Sequence, residues 1–142
     1  MRAVTRSEER REEIEAAGCE CWIGDPDRIG TLRYALDNVT VLLWLLGTAT
    51  GPNVPDLHGS RLRMMLEKVT DTTVRGVLYE AAGTVAPASL RAGAAEVDRA
   101  RELNEIPGAL LGVDPADQAA WVAAARDAID RLLTAERADL GR

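Results

Sequence analysis

Residues 16–36 read AAGCECWIGDPDRIGTLRYAL, and this stretch indicates a helix end, a strand and a second helix. Gly18 is a natural residue to end a helix, because glycine adopts the left-handed backbone conformation without strain. Residues 19–23 have the character of a strand, and they end at a Gly-Asp turn. In residues 27–36 apolar side chains recur at helical spacing. The stretch therefore predicts a helix, strand, helix order.

The same alternation continues on both sides of this stretch. A strand is predicted over residues 2–6 and a helix over residues 7–17, while the apolar residues 39–46 predict a strand buried on both faces. The remaining predicted elements are a helix over 57–69, a strand over 74–80, a helix over 89–104, a strand over 107–113 and a helix over 116–137. Such alternation is typical of an α/β fold with a mainly parallel sheet. We expect one domain spanning residues 1–142.

Composition narrows the possible partners. The chain has 142 residues and a net charge of −6. An acidic chain without a basic stripe is a poor partner for nucleic acid or an anionic membrane. The first residues lack the apolar segment of a signal peptide, and residues 39–46 are too few to cross a bilayer. We therefore expect a cytoplasmic protein in which Cys19 and Cys21 are reduced thiols.

Three strand ends carry a family resemblance. Arg6 ends the first predicted strand and Asp25 follows the second. Leu46 ends the third, and Gly47 and Thr48 follow it. In this setting the chain resembles an extended or atypical short-chain dehydrogenase/reductase, of the NAD(P)-dependent epimerase/dehydratase or NmrA-like kind. The resemblance begins at the second strand of that family's Rossmann domain.

The resemblance implies a Rossmann-like three-layer sandwich that binds NADP, with NAD the less expected cofactor. It implies that Arg6 meets the 2′-phosphate and that Asp25 contacts the adenine. It also implies that Leu46, Gly47 and Thr48 pass beside the nicotinamide-side ribose. Each position has a plain structural interpretation as well: a surface charge for Arg6, a helix cap for Asp25 and a turn residue for Gly47.

The chain departs from this family at the residues that bind phosphate and perform catalysis. The family's first strand and its glycine-rich turn have no counterpart before Arg2, so we expect an N-terminally truncated domain. Ala81 and Ala82 stand where the family's enzymes have Ser or Thr. The Tyr-x-x-x-Lys pair is absent, because Met64 stands four residues before Lys68, which is the only lysine. The usual oxidoreductase or epimerase chemistry is not expected, and the catalytic residues stay unknown.

The missing first strand has a consequence for the sheet. In the Rossmann order 3-2-1-4-5-6 that strand lies in the middle, so its loss leaves two unpaired edges that face a gap. Unpaired edges favour pairing with another chain or collapse onto one another. We therefore expect a rearranged sheet, a homo-oligomer, or a start site that lies further upstream.

Three functional hypotheses follow. The first is an NAD(P)-binding protein without standard catalysis, and the alternative is a non-enzymatic interaction or regulatory domain that has lost its cofactor. The third is an enzyme with an unusual site near Thr48, His58 and Tyr79. No metal site is expected, because His58 is the only histidine and is predicted to lie at the surface or to cap a helix. Trp22 and Trp44 are predicted to lie in the core.

Overall fold

The computed structural model describes the backbone of residues 1–140 and the side chains of residues 1–134. The strands are β1 (Arg2–Thr5), β2 (Glu20–Ile23), β3 (Val41–Trp44), β4 (Gly76–Glu80) and β5 (Gly108–Leu111). The helices are α1 (Arg11–Ala16), α2 (Val54–Leu57), α3 (Ser60–Lys68), α4 (Pro87–Asn104) and α5 (Gln118–Leu140). Four short 3₁₀ turns complete the list, at Glu8–Arg10, Ile29–Leu32, Tyr34–Leu36 and Val69–Asp71.

The strands form two parallel sheets. In one sheet β1 pairs with β2, and in the other the order is β3-β4-β5. Arg2 stands opposite Glu20 in the first sheet, and Trp44 stands opposite Tyr79 in the second. Every pairing between these strands is parallel, which confirms the predicted α/β class.

Besides the outer edges of β2 and β5, the edges of β1 and β3 are left without a partner strand within residues 1–140. Within residues 1–140, β1 pairs only with β2, and β3 pairs only with β4. The expectation of two unpaired edges is therefore met, and the sheet is divided into two parts at that position.

Helices cover both faces of the three-stranded sheet. Buried residues of α3 and α4 pack on one face, in a first core cluster that also contains Trp44 and Tyr79. Buried residues of α5 pack on the other face, in a second cluster with Leu78 of β4 and Leu111 of β5. This arrangement gives three layers, helix, sheet and helix, with β4 in the middle of the sheet.

The prediction of a helix over residues 27–36 was wrong. The segment instead forms two 3₁₀ turns, and local side-chain bonds explain the difference. The Asp27 backbone N–H donates to Asp25 Oδ1 over 2.9 Å, and the Thr31 hydroxyl donates to the Arg28 carbonyl over 2.7 Å. Asp and Thr side chains that bond nearby backbone groups in this way compete with helical hydrogen bonds. The segment still buries Ile29, among other apolar residues, in the first core cluster.

A glycine in α4 makes room for the most deeply buried aromatic ring. Tyr79 of β4 is fully buried, and its hydroxyl lies beneath α4 at Gly93. A Cβ atom on Gly93 would lie 2.0 Å from the Tyr79 hydroxyl oxygen. Helix α4 can therefore pack this closely on β4 only because residue 93 has no side chain.

We expect Gly93→Ala to lower the free energy of unfolding by about 1–3 kcal/mol, because the added methyl group overpacks the core. The higher helix propensity of alanine offsets part of that loss, by about 1 kcal/mol. Urea unfolding followed by circular dichroism measures the change. The matched control is Gly112→Ala, since no atom lies within 4 Å of a Cβ built there. Equal stabilities of the two variants would contradict the packing argument.

Candidate functional site

A cavity of about 400 Å³ lies beyond the carboxyl ends of β1, β2 and β3. It is therefore bounded by both sheets, at the position where the strand order is interrupted. The residues that line it are 4–6, 24–27, Leu46, 49–54 and Leu57. In open parallel sheets the crevice outside the carboxyl ends of the strands is where ligands bind. This cavity is the candidate site.

The structure brings together three of the five residues predicted to bind a cofactor. Arg6, Asp25 and Leu46 line the cavity, whereas Gly47 and Thr48 are not among its lining residues. Arg6 follows β1 directly, is exposed, and forms no ion pair among the side chains of residues 1–134. Its guanidinium group is therefore available to an anion at the rim of the cavity.

Asp25 holds the turn that follows β2. Its Oδ1 accepts the Asp27 backbone N–H over 2.9 Å, and its own backbone N–H donates to the Thr31 hydroxyl over 2.8 Å. Asp25 was interpreted as a helix cap, but no α-helix follows it directly, and its side chain instead stabilises the turn. These two bonds also fix the position of the carboxylate in the turn after β2, where Asp25 lines the cavity together with Arg6.

Asp27 connects the two halves of the site, and the sequence analysis did not identify this role. Its Oδ2 accepts Asn53 Nδ2 over 2.9 Å, and its Oδ1 accepts Arg61 Nε over 3.1 Å. Asn53 precedes α2, and Arg61 belongs to α3. One partly buried carboxylate thus ties the segment after β2 to the two helices that follow β3. The sequence around Asp27 gives no sign that its carboxylate bonds residues far along the chain instead of water.

Gly47 is a structural residue of the loop after β3. Its backbone N–H donates to Glu80 Oε1 over 2.7 Å, and a Cβ atom on it would lie 2.1 Å from the Ala82 carbonyl oxygen. Glu80 Oε2 in turn accepts Trp121 Nε1 over 2.7 Å. The turn interpretation of Gly47 thus agrees with the geometry, and Glu80 is a buried residue that the sequence analysis missed.

We expect Glu80→Gln to lower the free energy of unfolding by about 1–3 kcal/mol. Both Glu80 oxygens accept hydrogen bonds, so the amide nitrogen of glutamine would face the N–H of either Gly47 or Trp121. Urea unfolding followed by tryptophan fluorescence measures the loss. Glu67→Gln on the exposed side of α3 removes the same charge and serves as the control. A loss of stability that is the same in both variants would contradict this role.

His58 is fully buried, so the prediction of a surface histidine was wrong, although its backbone does occupy the C-cap position of α2. Its Nδ1 lies 2.6 Å from the Tyr79 hydroxyl, and its Nε2 lies 3.0 Å from the Leu46 carbonyl oxygen. A carbonyl can only accept, so Nε2 carries a proton and donates it. In the neutral ring Nδ1 then accepts from Tyr79. Burial lowers the pKa of His58, and burial together with the charge of Glu80 raises the pKa of Tyr79 to about 12.

This geometry also argues against an unusual enzyme site at these residues. His58 and Tyr79 are both fully buried, and Thr48 is exposed but does not line the cavity. None of the three side chains lines the candidate site. His58 and Tyr79 belong to the buried scaffold next to Leu46.

We expect the stability of the protein to fall as the pH drops below 6.5, the ordinary pKa of histidine. The folded state keeps His58 neutral, so below that pH the unfolded chain binds a proton that the folded chain resists. His58→Gln retains a donor and an acceptor and cannot be protonated. Urea unfolding between about pH 7.5 and pH 5 compares the two proteins. We expect the stability of the variant to depend less on pH. The same pH dependence in both proteins would contradict this role of His58.

Comparisons with known proteins show a similarity of fold. No protein-family model matches the sequence. No curated protein matches it either. Among solved structures, the triphenylmethane reductase of Citrobacter sp. complexed with NADP(H) is similar with a TM-score of 0.59 and 20% identity. A second structure of that reductase is similar with a TM-score of 0.58 and 21% identity.

Both similarities cover 78% of this chain and 38% of the reductase chain, so this chain spans well under half the length of those structures. At this level of identity the likeness concerns the fold. The chain therefore has the Rossmann-like α/β fold that the sequence predicts.

Through residue 140, none of the helices is both long and apolar enough to cross a membrane. Among the side chains of residues 1–134, no group of three or more His, Cys, Asp or Glu is arranged to hold a metal ion. Cys19 and Cys21 are free thiols of intermediate exposure.

Proposed function

We propose that this chain binds NADP in the cavity beyond β1, β2 and β3. The observation that carries the proposal is that Arg6 and Asp25, which follow two neighbouring strands, both line the cavity. A cation that can form two parallel bonds suits the 2′-phosphate of NADP, and a carboxylate suits the adenine amino group or the ribose hydroxyls. The NADP(H) bound to the similar reductase supports this assignment.

The size of the cavity agrees with the adenosine end of the cofactor. About 400 Å³ is near the lower end of the range for small-molecule sites, which is about 300–1,000 Å³. Leu46 and Leu57 supply apolar surface to the same lining. The adenine ring would lie against this surface, with its ribose phosphate at Arg6. Gly47 would support Leu46 through its bond to Glu80, whereas Thr48 is exposed and lies outside the lining.

Under this proposal the protein binds a cofactor but lacks the Tyr-x-x-x-Lys pair of the family that it resembles. Tyr79 is buried, and Tyr34, although 62% exposed, is not among the cavity-lining residues. The cofactor would then serve as a bound ligand, and the chain would act as a sensing or regulatory module. Cytoplasmic location and homo-oligomer formation stay predictions from the sequence.

The alternative, an interaction domain that has lost its cofactor, is favoured by one specific observation. Strands β1 and β3 each present an unpaired edge within residues 1–140, and such edges are sites where another chain can pair. Under this alternative NADPH and NADH would both fail to bind at millimolar concentration.

We expect NADPH to bind more tightly than NADH, and Arg6→Ala to remove that preference. Loss of a hydrogen-bonded charge pair costs about 1.5–3 kcal/mol, which corresponds to about a 10- to 150-fold weaker affinity for NADPH. The affinity for NADH should change little, since NADH lacks the 2′-phosphate. Titration of purified protein, followed by the fluorescence of the reduced nicotinamide, measures both affinities.

The matched control is Arg126→Ala, because Arg126 is an exposed residue of α5 and lies outside the cavity lining. An equal effect of the two substitutions would mean that NADPH responds only to net charge. Equal affinities of the unaltered protein for NADPH and NADH would overturn the role of Arg6. Circular dichroism confirms that each variant is folded.

A further inference from the structure

Asp27 is the polar contact between the two parts of the chain that form the candidate site. It belongs to the segment after β2, whereas its partners Asn53 and Arg61 belong to the chain after β3. Among the side chains of residues 1–134, no other hydrogen bond or ion pair joins residues 1–38 to residues 41–134. One carboxylate therefore makes every polar side-chain bond between these two parts.

The bond between Asp27 and Asn53 forms part of the boundary of the cavity. Both residues line it, and they belong to the segments 24–27 and 49–54 that supply most of the lining. Because the bond of 2.9 Å joins these two segments, it fixes the distance between them. The shape of the cavity therefore depends on Asp27.

The loop that Asp27 holds has little packing of its own, whereas the second partner is firmly anchored. Residues 50–53 are exposed, so few buried contacts fix their position. Arg61 belongs to α3, and the adjoining Leu62 is fully buried in the core. The side chains of Asp27 and Arg61 are 27% and 35% exposed, and a partly buried pair is screened by salt less than a surface pair. Asp27 thus ties an exposed loop to a fixed helix.

We propose that Asp27 is a positioning residue of the cofactor site, which holds the loop after β3 at the distance that the adenosine half of NADP requires. This inference rests on the proposed binding of NADP. Both oxygens of Asp27 already accept a hydrogen bond from the protein, so Asp27 acts on the cofactor through Asn53 and Arg61. Arg6 then determines the preference for NADPH, and Asp27 determines the affinity for the part that NADPH and NADH share.

The negative charge of Asp27 makes the direction of the expected effect distinctive. NADPH and NADH are anions, so removal of a nearby carboxylate should strengthen their binding by charge alone. Removal of a positioning residue should weaken their binding, because the loop must then be ordered at the expense of binding free energy. The two effects have opposite signs, and the affinity of a variant distinguishes them.

The test is a titration of Asp27→Ala with NADPH and with NADH, followed by the fluorescence of the reduced nicotinamide. We expect both affinities to fall at least about ten-fold, with the ratio between them unchanged. Asp27→Asn should retain more of the affinity, because its amide can accept from Arg61 and donate to a rotated Asn53 side chain. The control Asp56→Ala removes the same charge from an exposed residue of α2 outside the lining and should weaken neither affinity.

Hydrogen–deuterium exchange of the cofactor-free protein gives a second measurement. The Leu57 backbone N–H donates to the Asn53 carbonyl over 3.1 Å. Release of Asn53 in Asp27→Ala should therefore speed the exchange of the Leu57 amide at least about ten-fold. Exchange in Gly76–Glu80 is expected to be unchanged, because all five residues of that strand are buried away from the loop.

Three results would overturn the proposal. One is an unchanged or higher affinity of Asp27→Ala for both cofactors. Another is a loss confined to NADPH, which would assign Asp27 to the 2′-phosphate end of the site. The third is an equal acceleration of exchange in Gly76–Glu80, which would mean a general loss of stability.

A second variant covers the case in which Asp27→Ala does not fold. Arg61→Ala breaks one of the two bonds and should weaken the binding of both cofactors more than the control Arg126→Ala does. If the unaltered protein binds neither cofactor, the proposed function fails and this inference fails with it. Cofactor binding that does not depend on Asp27 refutes only the positioning role.

Discussion

The buried carboxylate of Glu80 is the interaction on which the arrangement of the carboxyl ends depends. Burying a charge is costly unless its oxygens are bonded, and both oxygens of Glu80 accept an N–H. The donors are the Gly47 backbone and the Trp121 indole, so one side chain joins the loop after β3, the end of β4 and the start of α5. Because this junction is rigid, the adjoining Leu46 carbonyl has a fixed position, to which His58 then bonds.

Much of the fold could be predicted because strands and helices differ in the spacing of their apolar residues. Each predicted strand corresponds to one in the structure, although β3 is shorter than residues 39–46. The helix prediction for residues 27–36 failed because the spacing of apolar residues indicates which residues are buried. It does not indicate which local side-chain bonds form. Ile29 and Leu32 are buried as a helix face would be, but the Asp25 and Thr31 bonds stop the helix from forming.

Only those residues of the candidate site that lie at the ends of strands could be predicted from the sequence. Arg6 and Asp25 were predicted from the family resemblance, and the parallel strands bring both of them to the same cavity. His58 was misjudged because a polar residue in a loop carries no local sign that a tyrosine from a distant strand will enclose it. Asp27 and Glu80 were missed for the same reason, since their partners lie at least 26 residues away along the chain.

The division of the sheet affects the proposed NADP site directly. No ladder hydrogen bonds join β1 to β3 within residues 1–140, so the distance from Arg6 to Leu46 is set by side-chain packing and by the bonds of Asp27. The geometry of the site therefore depends on a few side-chain bonds, where a continuous sheet would use a backbone ladder.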